Sequence, residues 1–331
     1  MQELGLLVSQ RMLERHGDAL RAAAREGSRE LAPVVLPHDP QGRVEPAECA
    51  RIEAAYFSGD LMGEGARGFF AAALGAPKLR WLQSFSAGVD HPVFARFLER
   101  GVRLTTAAGA AAEPIALTAL AGLLMLARGF PRWLDAQRRR AWEPHAPAAL
   151  PRDLAGQVLV VFGLGAIGSE LARLARGLGL HVIGIRRGPA TGDEPVDELH
   201  HPSRLLELLP RADWLAVACP LSDETRGAVG ADALARLPRG AGLLNVARGE
   251  IVDEAALVES LRDGRLLGAY LDVFAVEPLP QDSPLWTLPN VIVTPHNSAA
   301  SRGNERRQLD LFLDNLARWA RGDALRNEVR A

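Results

Sequence analysis

Lysine is nearly absent. Of the 38 basic residues only Lys78 is a lysine, and it sits in the plain run Ala76-Pro77-Lys78-Leu79. A GxxxxGK[ST] phosphate loop is therefore missing, and a Schiff-base lysine has only this one poor candidate. HExxH and GxSxG are missing too, so zinc proteolysis and serine hydrolysis lose their usual signatures. Cysteine is scarce: Cys49 and Cys219 lie far apart, form no CxxC pair, and read as buried small hydrophobes suited to a reducing cytoplasm. No metal site is expected, and the pair His200-His201 reads as a solvated loop. With a net charge of -2 and no long basic run, nucleic acid is a poor partner. The start of the chain lacks a leader pattern, because Leu4 to Val8 runs straight into the charged segment Arg11 to Arg15. The longest apolar run, Ile115 to Ala127, falls short of the ~20 residues a bilayer span requires. No membrane association and a cytoplasmic location are the expectations.

What the chain does have is length and alternation. At 331 residues it is too long for one ordinary core, and 48% hydrophobic with 24% charged residues is a globular composition. Strand candidates are Leu6–Val8, Pro33–Leu36, Ala54–Phe57, Leu82–Phe85 and Val102–Thr105, separated by helical stretches. A long apolar helix is expected from Glu113 to Gly129, stopped by Pro131, followed by an arginine-rich stretch from Arg132 to Trp142 and a loop to Pro151. A second alternation then offers strands at Gln157–Gly163, His181–Ile185, Leu215–Ala218, Gly242–Val246, Leu267–Val273 and Val291–Thr294. Helices are expected at Ala166–Leu178 and about Asn304–Arg321. Strands alternating with helices predict an α/β fold of doubly wound parallel sheets.

The strand Val158–Phe162 runs into Gly163-Leu164-Gly165-Ala166-Ile167-Gly168 and then a helix. This is GxGxxG in its required setting. Gly163 allows the tight turn, Gly165 lets backbone approach a pyrophosphate, and Gly168 lets helix pack on strand. The helix N-terminus adds free N–H groups and a positive dipole end. An acidic residue would be expected ~20 positions on to hold the ribose 2′-hydroxyl of NAD. The next strand instead ends in Arg186-Arg187. Two guanidinium groups suit a 2′-phosphate, so NADP(H) is favoured and NAD(H) is the alternative. The competing reading of these arginines is a solvated strand end.

Three later segments carry groups suited to reducing a 2-keto acid: Asn245 to Gly249, Leu271 to Pro278, and Thr294 to Ser298. Each follows a strand candidate, at the end of a parallel sheet where ligands bind. Arginine can bridge a carboxylate and the neighbouring carbonyl in a planar clamp. Histidine, with an ordinary pKa of ~6.5, is a natural proton donor to the oxygen that gains charge.

At these residues the sequence strongly resembles the D-isomer-specific 2-hydroxyacid dehydrogenase family, in the manner of glyoxylate/hydroxypyruvate reductases and phosphoglycerate dehydrogenases. The resemblance runs through the glycine motif, Cys219-Pro220-Leu221-Ser222-Asp223-Glu224-Thr225-Arg226-Gly227, the Arg248 segment, Asp272 to Pro280, Ser283 to Trp286, and Thr294-Pro295-His296. In the N-terminal third it is looser, chiefly at Ser86-Ala87-Gly88-Val89-Asp90. It implies a catalytic triad of Arg248, Glu277 and His296, with Glu277 orienting the histidine ring. It further implies cofactor contacts at Cys219, Pro220, Thr225, Val246, Ala247, Asp272 and His296, beside the glycine motif and the two arginines. Substrate would be held by Arg248, His296 and the N–H groups of Ala87 and Gly88. Trp142 reads as an interface or core aromatic at least as readily as an active-site visitor.

The family fold implies a discontinuous, flavodoxin-like substrate domain of residues 1–106 and 298–331, and a Rossmann nucleotide domain of residues 107–297. A homodimer is also implied. The leading expectation is an oxidoreductase acting on C2 of a small 2-keto or 2-hydroxy acid. The alternative on the same fold is a nucleotide-sensing, corepressor-like binding protein.

Overall fold

The structure, a computed structural model, describes residues 1–39, 43–89 and 91–329. Asp90, the last residue of the looser N-terminal resemblance, lies outside these. The chain divides into two compact units, Met1–Ala111 with Ser301–Ala331, and Ala112–Ala300.

The first unit carries strands β1 (Gln2–Ser9), β2 (Arg29–Leu36), β3 (Ala54–Phe57), β4 (Trp81–Ser84) and β5 (Arg103–Thr105). Between them lie helices α1 (Gln10–Glu26), α2 (Pro46–Cys49), α3 (Glu64–Leu74) and α4 (Pro92–Glu99). The sheet order is β2-β1-β3-β4-β5, all parallel. Because side chains alternate across a strand, Leu7, Phe57 and Leu82 feed one core layer while Leu6, Tyr56 and Trp81 feed the other. The second layer is closed by the chain's last helix, α11 (Asn304–Arg321). Its Phe312 is fully buried and stacks on Tyr56 with ring centroids 3.9 Å apart. Asn315, also on α11, donates to Gln83 Oε1 at 2.8 Å. Burial of a side chain such as Phe312 stabilises by about 2–3 kcal/mol.

The central unit begins with α5 (Ala112–Ala127) and α6 (Phe130–Arg138). It continues through β6 (Val158–Phe162), α7 (Ala166–Gly177), β7 (His181–Ile185), β8 (Glu198–His200), α8 (Leu205–Leu208) and β9 (Trp214–Val217). It ends with α9 (Ala231–Arg236), β10 (Ala241–Asn245), α10 (Glu254–Arg262), β11 (Leu266–Leu271) and β12 (Val291–Val293). The sheet order is β12-β11-β10-β9-β6-β7-β8, again parallel throughout. Strand β6 is nearly all aliphatic because it is covered on both faces: Leu159 and Val161 enter one core layer, Val160 and Phe162 the other. The direction of winding reverses between β6 and β9, which opens a crevice at their carboxyl ends.

Three expectations need correction. Pro131 does stop one helix, but it also opens the next. It occupies the first turn of α6, where a missing N–H costs nothing, so part of the arginine-rich stretch is helical. His200 is not in a loop: it ends β8, a three-residue edge strand too short and too polar to read from alternation. Strand β2 starts at Arg29, four residues before its expected start, since Pro33 is tolerated in an edge strand. Among the described residues no single helix is long and apolar enough to cross a membrane.

Candidate active site

The glycine turn follows β6 directly. Gly163 has φ +107, and a Cβ there would run into the backbone of Cys219. Gly168 sits on the carbonyl oxygen of Gly163, again with no room for a side chain. Around Gly165 the space is open, so the backbone of the turn is accessible. Helix α7 starts at Ala166 with no side-chain cap on its first N–H groups, and Ile167 and Gly168 complete its first turn. Among the described residues those groups have no side-chain cap, which leaves them to an anion. Beside them lies a crevice of about 220 Å³, lined by Gly163, Leu164, Gly165, Arg186, Arg187, Cys219, Pro220 and Thr225, with Leu205 and Ala228 as apolar walls. Every sequence-based cofactor residue of this half thus gathers at one place. Glycine backbone at one end and an apolar slot with cationic edges at the other fit a dinucleotide.

The arginines are not equivalent. Arg187 is largely exposed and pairs with the exposed Glu224 at 3.3 Å. Arg186 is more enclosed, and its Nη1 donates to Glu194 Oε1 at 3.0 Å. Glu194 escaped the sequence reading because it lies on the loop after β7 and folds back across eight residues. Cys219 is buried beside the crevice, and desolvation pushes its thiol up to about 12.

On the same sheet edge, β10 ends in a turn closed by its own buried Asn245. Asn245 Oδ1 accepts from the N–H of Ala247 at 3.1 Å, and its Nδ2 donates to the carbonyl of Arg248 at 3.0 Å. Val246 and Ala247 are buried in this turn, and the half-buried Arg248 folds back on it, its Nη1 donating to the Ala247 carbonyl at 2.7 Å. Gly249 packs on the peptide between Phe274 and Ala275, where any side chain would collide. This close approach puts the Arg248 segment against the segment that carries Glu277.

Glu277 is held at both oxygens. Oε1 accepts from the N–H of Phe274 at 3.0 Å, and Oε2 accepts from His296 Nδ1 at 2.7 Å. The His296 backbone lies in the left-handed region at φ +50, an uncommon state for a side-chain-bearing residue. Two hydrogen bonds keep it there, from its N–H to the carbonyls of Asp272 at 2.8 Å and Thr294 at 3.0 Å. Asp272 is buried, and its carboxylate accepts from Thr294 Oγ1 at 2.6 Å, from the N–H groups of Asn297 at 2.9 Å and Ser298 at 3.1 Å, and from Ser298 Oγ. Tyr270 OH joins this network through Thr294 Oγ1 at 2.8 Å. Asp272 therefore fixes the loop that presents His296.

In the first unit, Ala87 and Gly88 follow β4. Ser86 braces their turn, with its Oγ donating to the Gly88 carbonyl at 2.7 Å. Among the described residues their own N–H groups have no partner. Trp142 is 97% exposed in the isolated chain.

The family description "D-isomer specific 2-hydroxyacid dehydrogenase, NAD binding domain" matches residues 120–298. The chain belongs to this family. A glyoxylate reductase of Korarchaeum cryptofilum is 34% identical over 264 residues, which is 77% of each chain. The crystal structure of a D-isomer-specific 2-hydroxyacid dehydrogenase from Xanthobacter autotrophicus, in complex with NADPH and MES, superposes with a TM-score of 0.78. Its identity is 31%, covering all of this chain and 98% of that one. A 2-hydroxyacid dehydrogenase from Rhizobium etli, in complex with NADP, HEPES and tartaric acid, gives a TM-score of 0.76 at 27% identity, covering 100% and 98%. Membership makes the chain an NAD(P)-dependent oxidoreductase that transfers hydride to or from 2-hydroxy and 2-keto acids.

Proposed function

We propose that the chain reduces a short 2-keto acid of the glyoxylate or hydroxypyruvate type, with NADPH as the favoured cofactor. The observation that carries the catalytic part is the 2.7 Å hydrogen bond between His296 Nδ1 and Glu277, because it leaves Nε2 of the ring to face a substrate. The Korarchaeum relative is named for glyoxylate reduction, and the two neighbours above hold NADPH and NADP.

Residues of the glycine turn, Cys219, Pro220, Thr225 and the two arginines would hold the cofactor, with Val246, Ala247 and Asp272 toward its nicotinamide. When bound, it supplies the hydride to C2. Arg248 clamps the substrate carboxylate and polarises the adjacent carbonyl. As negative charge develops on that oxygen, His296 Nε2 delivers a proton, and in the reverse direction it accepts one. Glu277 keeps the ring in register and balances its charge. The N–H groups of Ala87 and Gly88 bind the substrate carboxylate. A homodimer formed through the central unit fits the exposed Leu117, Phe130 and Leu134 on α5 and α6, with Trp142 beyond them.

A panel of 2-keto acids, assayed by NADPH absorbance and repeated with NADH, tests the reading. Turnover of small acids with a higher kcat/KM for NADPH is the expected result. Equal kcat/KM for the two cofactors removes the NADPH preference, and no turnover of any acid removes the reductase.

A further inference from the structure

Glu194 is bound as a phosphate would be. Its Oε1 accepts from the N–H of Thr191 at 2.7 Å, from Thr191 Oγ1 at 3.0 Å and from Arg186 Nη1 at 3.0 Å. Its Oε2 accepts from the N–H of Gly192 at 3.0 Å. Successive backbone N–H groups, a hydroxyl and a guanidinium are the donors with which proteins hold anions. The side chain is only 8% exposed. The Thr191 N–H, ahead of the other donors, holds its carboxyl down at about 2, so it stays ionised at any working pH. Three of the four donors belong to its own loop. The carboxylate is therefore fixed whether or not Arg186 turns toward something else.

Arg186 lines the crevice together with Arg187, and it is the more enclosed of the two, with its guanidinium over Gly188. We infer that Glu194 competes with the cofactor's 2′-phosphate for the Arg186 guanidinium and so sets how far NADPH is preferred over NADH. The inference rests on the NADPH reading above only in placing a 2′-phosphate beside Arg186. A 2′-phosphate with a charge of about -2 would share one guanidinium with a carboxylate that neither leaves nor protonates. A neutral 2′-hydroxyl meets no such repulsion. Glu194 thus weakens one cofactor selectively and acts as a specificity-determining residue away from the reacting atoms.

The test is calorimetric titration of the full chain with 2′,5′-ADP and 5′-AMP, which differ only in the 2′-phosphate. Glu194→Gln removes the charge but keeps an acceptor oxygen for the loop. It should tighten 2′,5′-ADP about tenfold, as removal of one nearby like charge predicts, and move 5′-AMP less than about twofold. The proposal is overturned if both ligands shift together, if neither shifts, or if 2′,5′-ADP weakens. The last result would make Glu194 a support for Arg186. Should Glu194→Gln fail to fold, Arg186→Gln decides: it must weaken 2′,5′-ADP and spare 5′-AMP, and an unchanged 2′,5′-ADP affinity also overturns the proposal. If wild type binds both ligands equally and a preference emerges in Glu194→Gln, the NADPH reading fails and this one stands.

Discussion

The backbone N–H of Phe274 donates to Glu277 Oε1 at 3.0 Å, which leaves the other carboxylate oxygen to His296. Phe274 in turn is the residue whose peptide presses on Gly249, next to Arg248. The three proposed catalytic side chains are therefore linked by backbone contacts, not by their positions in the sequence alone.

Replacing His296 with Asn removes the proton donor and should lower kcat by about 10²–10⁴-fold. Glu277→Gln keeps an oxygen for Phe274 but loses the charge beside the ring, so a smaller loss, about 10–100-fold, is expected. Steady-state kinetics at saturating NADPH check both. A His296→Asn enzyme with more than about a tenth of wild-type kcat would discount the histidine as the acid.

Arg248→Ala should abolish turnover while leaving NADPH affinity nearly intact, as read by fluorescence titration. Arg248→Lys should not restore it, because an ammonium cannot span a carboxylate and a carbonyl as the planar fork does. Cofactor affinity falling in step with turnover would place the arginine's role elsewhere.

Both cysteines should be inert in the folded protein. Burial raises Cys49 and lifts Cys219 to about 12, so almost no thiolate is present at about pH 8. Iodoacetamide labelling should be slow until guanidinium is added. NADPH should slow it further at Cys219, which lines the crevice. Rapid native labelling at Cys219 would contradict this.

Glu198 gives a pH signature. It accepts from Arg211 Nη1 at 2.9 Å, from His181 Nε2 at 2.8 Å and from His200 Nε2 at 3.1 Å, and Arg211 above all holds its carboxyl well below the usual carboxylate range. A folded value below the unfolded one means the unfolded chain takes up the proton first. The cluster's stabilisation is complete above the ordinary carboxylate pKa and fades as pH falls toward the folded value. The Tm gap between wild type and Glu198→Gln should therefore hold above about pH 5 and narrow as pH is lowered from there toward about pH 3. A gap that is constant or that widens would refute the sign.

Much of this was legible in the sequence because buried parallel strands leave aliphatic runs and glycine turns leave fixed spacings. Val158–Gly168 is such a stretch, and so are the strand ends before Arg248 and His296. What escaped depends on folding back. Glu194 has no pattern that points to Arg186, and β8 is too short and polar to alternate. The bracing of His296 by Asp272 and Ser298 depends on a backbone turn at φ +50 that residue type does not announce. Pro131 misled in part, since one proline can end a helix and begin another.

The first unit is finished by α11, whose Phe312 and Asn315 complete a core begun at β1. During synthesis the ribosome releases every residue of the central unit before that closing helix emerges. The central unit is thereby expected to fold before the unit that begins the chain is complete. Released chains that end near residue 300 should already contain a protease-resistant central unit while their N-terminal hundred residues are still digested. Protection of those residues at that length would show that the unit matures without its last helix.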